Sequence, residues 1–268
     1  MEIITQRFVV MKAISTLLTF VFVHSGKDLL WIPALDMLGS FAAVVLVLVQ
    51  MRKFGVKIHC PAYSNCVRKI YESAAYFISN MATTVFSTLN TLLIGAFLPA
   101  AEIAFWSVVF QIIGAIQMLY SPINDGIYPD MVKTRNMKLV KNIVKLFVPL
   151  ISLGCIALFV LSKYVLGIIG GAKYIPAYWL LRLLIPLVFI SFPAMLFGWP
   201  VLGAIDKPKQ VMKTTVSAGL FQIAGFAALL LLGQFTLFNI ALLRNVTEFV
   251  LFGTRFGYYL KYKNEFAG

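Results

Sequence analysis

The sequence predicts an all-α fold, a polytopic transmembrane helix bundle with about eight spans. Three observations predict it. Long runs almost free of charge follow one another from Phe8 to Leu260; Ile143–Leu161, with Lys145 as its one charge, is typical. A run of roughly 18 or more apolar residues is long enough to cross a ~30 Å hydrocarbon core as a helix. The composition agrees, at 60% hydrophobic and 12% charged with a mean hydropathy of +0.89, far from a soluble average. The third observation is that the connecting loops alternate in charge.

The runs fall near Phe8–Ser25, Asp28–Gln50, Ala74–Leu98, Glu102–Asp125, Asn142–Ser162, Ile175–Gly198, Met212–Gly233 and Gln234–Leu260. The first has no small-residue cleavage site at its end, so it reads as a span and not as a leader. The second is followed by the longest loop, Met51–Ser73, basic with interleaved Ile58, Tyr63, Val67, Ile70 and Tyr71. That pattern suits either an interfacial helix on an anionic leaflet or a solvated connector. The sixth run holds Pro176, Pro186, Pro193 and Pro200, which remove backbone donors and predict a kinked helix, a moving part or a static bend.

Basic residues gather on alternate loops. Arg7 and Lys12 precede the first run; Arg52, Lys53, Lys57, Arg68 and Lys69 follow the second; Lys133, Arg135, Lys138, Lys141 and Lys145 follow the fourth. Lys207, Lys209 and Lys213 follow the sixth, and Arg255, Lys261 and Lys263 close the chain, against Lys27, Lys163 and Lys173 on the other side. The positive-inside rule then predicts an even number of spans with both termini cytoplasmic. The net charge of +13 is accounted for by these loops. It forms no stripe, so nucleic acid is not an expected partner.

Chemistry-bearing clusters are few. His24 and His59 sit at loop edges without a nucleophile and carboxylate in triad-like order. Gly170-Gly171 reads as a turn rather than a phosphate loop, and Asp125 and Asp130 flank Pro129 at a helix terminus. His59, Cys60 and Cys66 offer three irregularly spaced ligands where a structural metal takes four, and Cys155 lies inside a run. The expectation is a protein that is not an enzyme, with no cofactor or metal and with reduced thiols.

Polar residues inside the runs say more. Asn80, Thr84, Ser87 and Thr91 recur along one helical face, with Asn90 beside it; Ser107, Gln111, Gly114 and Ser121 form a second stripe, with Gln117 beside it. Two neighbouring polar faces predict a wet substrate cavity; their alternative use is to glue helices together in lipid. Three of the charges within spans stand out: Asp36, Arg182 and Arg244. Each is functional by default in a bilayer. Arg244 has Glu248 one turn later, a spacing for a structural ion pair. Arg182 has no such partner and is the stronger candidate to grip an anionic ligand, with pairing to Asp36 or snorkelling as the alternatives.

Several segments resemble the bacterial polysaccharide and O-antigen flippases of the multidrug/oligosaccharidyl-lipid/polysaccharide exporter superfamily. They are Ser87–Phe97, Glu102–Gln111, Ser121-Pro-Ile, Ile127-Tyr-Pro129, the turn Gly170–Tyr174 leading into Leu180–Leu184, and Asn245–Glu248. Asn90 stands where such proteins often have Asp, and Phe105 where Tyr is usual. The resemblance implies a chain shortened at its N-terminal side. Residues 1–73 would supply the last two spans of a first lobe with a cytoplasmic connector, and residues 74–268 a second six-helix lobe. It implies translocation of undecaprenyl-diphosphate-linked oligosaccharide across the bacterial inner membrane. Arg182 and Arg244 would face the diphosphate, and Asn80, Thr84, Ser87, Asn90, Ser107, Gln111 and Gln117 the sugar. Membrane lipids and the polysaccharide polymerisation machinery are the implied partners. The alternatives are an inactive remnant or accessory subunit, and a small-molecule cation antiporter of the same superfamily.

Overall fold

The computed structural model describes residues 17–19, 31–53 and 63–266, and their regular elements are helical. The chain divides into two compact units, Met1–Cys66 and Val67–Gly268. In the first, residues 17–19 are helical and α1 runs Trp31–Lys53, with its apolar part at Pro33–Val49. Most of the expected first span lies outside the described residues, as do His24, His59, Cys60 and the side chains of Asp36 and Cys66.

The remaining helices are α2 (Tyr63–Phe97), α3 (Ala100–Met118), α4 (Ser121–Thr134), α5 (Met137–Ile169), α6 (Tyr178–Leu183), α7 (Ile185–Leu196), α8 (Pro208–Leu231) and α9 (Leu237–Lys261). Residues 63–73, expected in a loop, are the first turns of α2. Pro99 is extended between α2 and α3, and Glu102 in the first turn of α3 suits the positive end of its dipole. α3 and α4 together make one apolar passage, Ala100–Thr134. The joint is bridged by Tyr120 N–H to Gln117 O and Asn124 N–H to Tyr120 O, and the expected end at Asp125 falls short because α4 continues through Pro129 to Thr134. The passage stops at Arg135, in the left-handed region with φ 50°. Asn136 then starts α5, its Oδ1 accepting the Lys138 N–H at 2.9 Å. At the far end, Gly171 turns the chain with φ +86°, a conformation open to glycine at little cost.

The sixth run is broken as its prolines predict. A 3-10 turn (Ala172–Ala177), α6, α7, a π-helical stretch (Phe197–Leu202) and a second 3-10 turn (Gly203–Ile205) replace one straight helix. Gly198 leaves helical geometry altogether, with ψ −112°. Backbone acceptors along this broken path find side-chain donors. Asn245 Nδ2 donates to Leu183 O at 2.8 Å, and Arg255 Nη1 donates to Ala194 O at 2.6 Å. Irregular backbone is tolerated at membrane depth where protein supplies such partners.

Gly233, with φ +65°, turns α8 into α9, and Thr236 Oγ1 accepts the Asn239 N–H at the start of α9. Among the described residues, five helical passages are long and apolar enough to cross a membrane: Phe77–Phe97, Ala100–Thr134, Met137–Ile169, Ile185–Ile205 and Pro208–Leu231. The protein is a multi-pass membrane protein. α9 is long enough as well, but Arg244, Glu248 and Arg255 lie within it. Its charges are turned inward and buried. Trp106, Phe192, Phe226, Leu180 and Leu184 anchor the core of the second unit.

Candidate functional site: a polar cavity within the second unit

A cavity of about 790 Å³ opens among α2, α3, α4, α7, α8 and α9. Its walls follow from helical spacing. Gly114, Gln117, Ser121, Asn124 and Tyr128 form a single face that continues across the α3–α4 joint. Arg244, Glu248, Leu251 and Arg255, at i, i+4, i+7 and i+11, are the inward face of α9. Ser79, Asn80 and Thr83 come from α2, Ser191 and Met195 from α7, Trp199 from the π-helical stretch and Thr215 from α8. Hydroxyls, amides and charges are thereby collected inside a molecule whose outer surface is apolar.

The charged end of the cavity is held tightly. Arg244 Nη1 and Glu248 Oε2 are 2.9 Å apart and both residues are buried. Arg255, also buried, donates from Nη1 to Ala194 O at 2.6 Å, from Nη2 to Thr215 Oγ1 at 3.0 Å and from Nε to Thr214 Oγ1 at 3.4 Å. It thus ties α9 to α8 and to the turn before the π-helical stretch. Gly198 is the residue that admits it: a Cβ there would stand 2.8 Å from Arg255 Nη1. Two guanidinium groups against one buried carboxylate leave this end positive; Asp125, the other acidic residue on the cavity wall, is exposed.

Of the three buried acceptors left open among the described residues, those of Asn124, Gln222 and Asn245, only that of Asn124 belongs to a cavity-lining residue. Asn124 donates from Nδ2 to Tyr120 O at 3.0 Å, but its buried Oδ1 has no hydrogen-bond partner among the described residues. An unmet buried acceptor costs about 1–3 kcal/mol, and Asn124 lies on the cavity wall. Water or a ligand hydroxyl entering the cavity would meet it.

The sequence-predicted residues divide. Asn80, Gln117, Arg244 and Glu248 line the cavity, and the pair expected between the last two is formed. Thr84, Ser107 and Gln111 are exposed and do not line it; Thr84 and Ser107 donate to the carbonyls of Asn80 and Ile103. Asn90 is buried, with its Oδ1 accepting from Gln222 Nε2 at 2.6 Å. Together with Ser79 Oγ to Thr215 Oγ1 at 3.2 Å, that bond is the helix-gluing use of polar residues, joining α2 to α8. The Ser87 side chain lies outside the described ones. Arg182 is not a lining residue. Its Nε donates to Phe159 O at 3.0 Å and to Ser162 Oγ at 2.9 Å, on the flank of α5.

Arg255, Asn124, Tyr128 and Thr215 were not among the predicted site residues. Arg255 was grouped with the basic tail, although its spacing of seven from Glu248 and eleven from Arg244 puts all three on one helical face. Asn124 stood too near the expected end of its span to be counted with the Gly114–Ser121 stripe. Among the described residues, no group of three or more His, Cys, Asp or Glu could hold a metal ion.

Comparison with known proteins gives this geometry a context. The family model described as "Polysaccharide biosynthesis protein" matches residues 1–135. A protein of Escherichia coli (strain K12) named "Putative O-antigen transporter" is 23% identical over 218 residues, which cover 77% of this chain and 51% of that protein. The chain thus spans about half the length of the curated relative it matches. No solved structure matches it significantly.

Proposed function

The chain belongs to the polysaccharide biosynthesis protein family, and on that premise we propose that it carries a lipid-linked oligosaccharide, of the undecaprenyl-diphosphate class, across the bacterial inner membrane. The observation that carries this reading is the polar cavity with its positive end formed by Arg244, Glu248 and Arg255. A hydrated headgroup cannot cross hydrocarbon without polar partners, because each unmet group costs several kcal/mol there. The cavity offers such partners. The amides and hydroxyls of Asn80, Thr83, Gln117, Ser121 and Asn124 face sugar hydroxyls, while the guanidinium groups face the diphosphate. The lipid tail stays in the bilayer. Both termini are cytoplasmic on this reading, following the loop charges, and the polymerisation machinery is the partner that receives the product. An organic cation is a poorer occupant, since Glu248 is already neutralised by Arg244 and Arg255 adds further positive charge.

The length ratio of about one half favours a second reading, an accessory or inactive membrane subunit. Complementation separates the two. In a strain lacking its polysaccharide transporter, this chain restores surface polysaccharide, whereas Asn124→Leu and Arg244→Gln restore far less at equal membrane abundance. Restoration by all three contradicts the cavity's role; failure of the unaltered chain, present and folded in the membrane, favours the accessory reading.

A further inference from the structure

Outside the cavity, the corner where α5 meets α6 holds two cations against one aromatic ring. The Arg182 guanidinium carbon is 5.1 Å from the Tyr178 ring centroid and 4.6 Å from that of Phe159. Lys163 Nζ is 4.7 Å from the same Tyr178 ring. The two charges are therefore held within about 10 Å of each other, no farther than a Debye length at ordinary ionic strength. Among the described residues neither has a carboxylate partner. Arg182 uses Nε for Phe159 O and Ser162 Oγ, while its Nη1 and Nη2 have no hydrogen bond among the described residues. The guanidinium is oriented by a packed ring, a carbonyl and a hydroxyl, and its two-donor edge is left open.

That is an unusual arrangement in a bilayer protein, where an unpaired cation is retained for a reason. The surroundings point to the membrane interface. Tyr164 and Trp179 are exposed beside the pair, Tyr174 and Tyr178 are half-buried, and Lys173 lies 5.1 Å from the Tyr174 ring. Aromatic residues of this kind gather at headgroup level. A planar guanidinium edge beside an ammonium matches a phosphate, which it can bind bidentately.

The geometry points to a phosphate-binding site formed by Arg182 and Lys163 at the α5–α6 corner, occupied by the phosphate or diphosphate of a lipid headgroup. It is separate from the cavity and does not depend on the transport reading.

Native mass spectrometry of the full chain released from nanodiscs of equal phosphatidylglycerol and phosphatidylcholine tests it. The unaltered protein retains phosphatidylglycerol at least about 5-fold over phosphatidylcholine. Arg182→Gln and Lys163→Gln each abolish most of that preference, whereas Lys141→Gln, exposed at the other end of α5, leaves it unchanged. Lys163 is exposed and makes no side-chain hydrogen bond among the described residues, so its variant remains informative if Arg182→Gln fails to fold. A second arm titrates delipidated protein with inorganic phosphate and pyrophosphate. Phosphatidylglycerol retained and pyrophosphate ignored identifies an ordinary phospholipid headgroup. Pyrophosphate bound, with that binding lost in Lys163→Gln, and phosphatidylglycerol ignored identifies a diphosphate-bearing lipid. No preference in the unaltered chain in either arm, or binding undiminished in Lys163→Gln and Arg182→Gln, overturns the site.

Discussion

α5 and α9 meet the bilayer in opposite ways. α5 is the most apolar passage among the described residues, with a mean hydropathy of 2.5 over its best window, yet only 6% of that window is buried. α9 fails the same test of apolarity because of its charges, but it buries Arg244, Asn245, Thr247, Glu248 and Arg255 on one face. The proline-broken passage Ile185–Ile205 stands with α9, at 67% buried. In water the most hydrophobic segment is expected inside. In lipid the outside is as apolar as the core, so hydropathy reports contact with acyl chains. Polar and irregular segments must turn inward, where other parts of the protein or water can satisfy them. The helix that carries the charged end of the cavity is therefore not one of the most apolar.

The contrast can be broken by substitution. Glu248→Ala has the largest expected effect. It leaves Arg244 buried without its carboxylate partner, and removal of one member of a buried pair costs about 3–5 kcal/mol. Denaturant unfolding in detergent would read it. Replacing both residues together, as Arg244→Met with Glu248→Leu, is expected to cost less than Glu248→Ala alone. Gly198→Ala comes next. Its Cβ meets Arg255 Nη1 at 2.8 Å, so the guanidinium must move from Ala194 O at a cost of about 1–3 kcal/mol. Asn245→Leu, which removes the donor to Leu183 O, is expected to lose about 1 kcal/mol. Smallest is Leu153→Ala, on the exposed face of α5, expected within about 0.5 kcal/mol of the unaltered protein. If Leu153→Ala destabilised as much as Gly198→Ala, the distinction between an outward α5 and an inward broken passage would fall.

The helical membrane fold was legible because apolar length is a direct consequence of bilayer thickness. Helix ends were less so. The passage ending at Asp125 in sequence terms runs on to Thr134, since α4 accommodates Pro129 instead of ending beside it. Arg244 and Glu248 could be paired from spacing alone because one turn of helix brings them together. Arg182 could not be placed: its sequence depth was plain, but only the packing of α6 on α5 decides that it meets Phe159 O and Ser162, away from the cavity wall. The polar stripe of α3 was half right for a related reason. Gln117 and Gly114 face the cavity, but Ser107 and Gln111 lie higher on the same helix than the cavity extends. Periodicity identifies a face; tertiary packing decides how much of that face a site uses.

The central claim, that the α2–α4 and α9 faces enclose a wet polar cavity while the outward face of α5 stands in lipid, is tested most directly by thiol accessibility. With Cys60, Cys66 and Cys155 replaced by Ala, single cysteines are introduced as Thr83→Cys, Ser121→Cys and Leu153→Cys and exposed in native membranes to a membrane-impermeant, positively charged methanethiosulfonate. Thr83→Cys and Ser121→Cys are expected to react at least about tenfold faster than Leu153→Cys, which corresponds to about 1.4 kcal/mol in the barrier. Equal, slow reaction at all three positions would contradict the account, because it would mean that the polar faces are packed dry and serve only to hold the helices together.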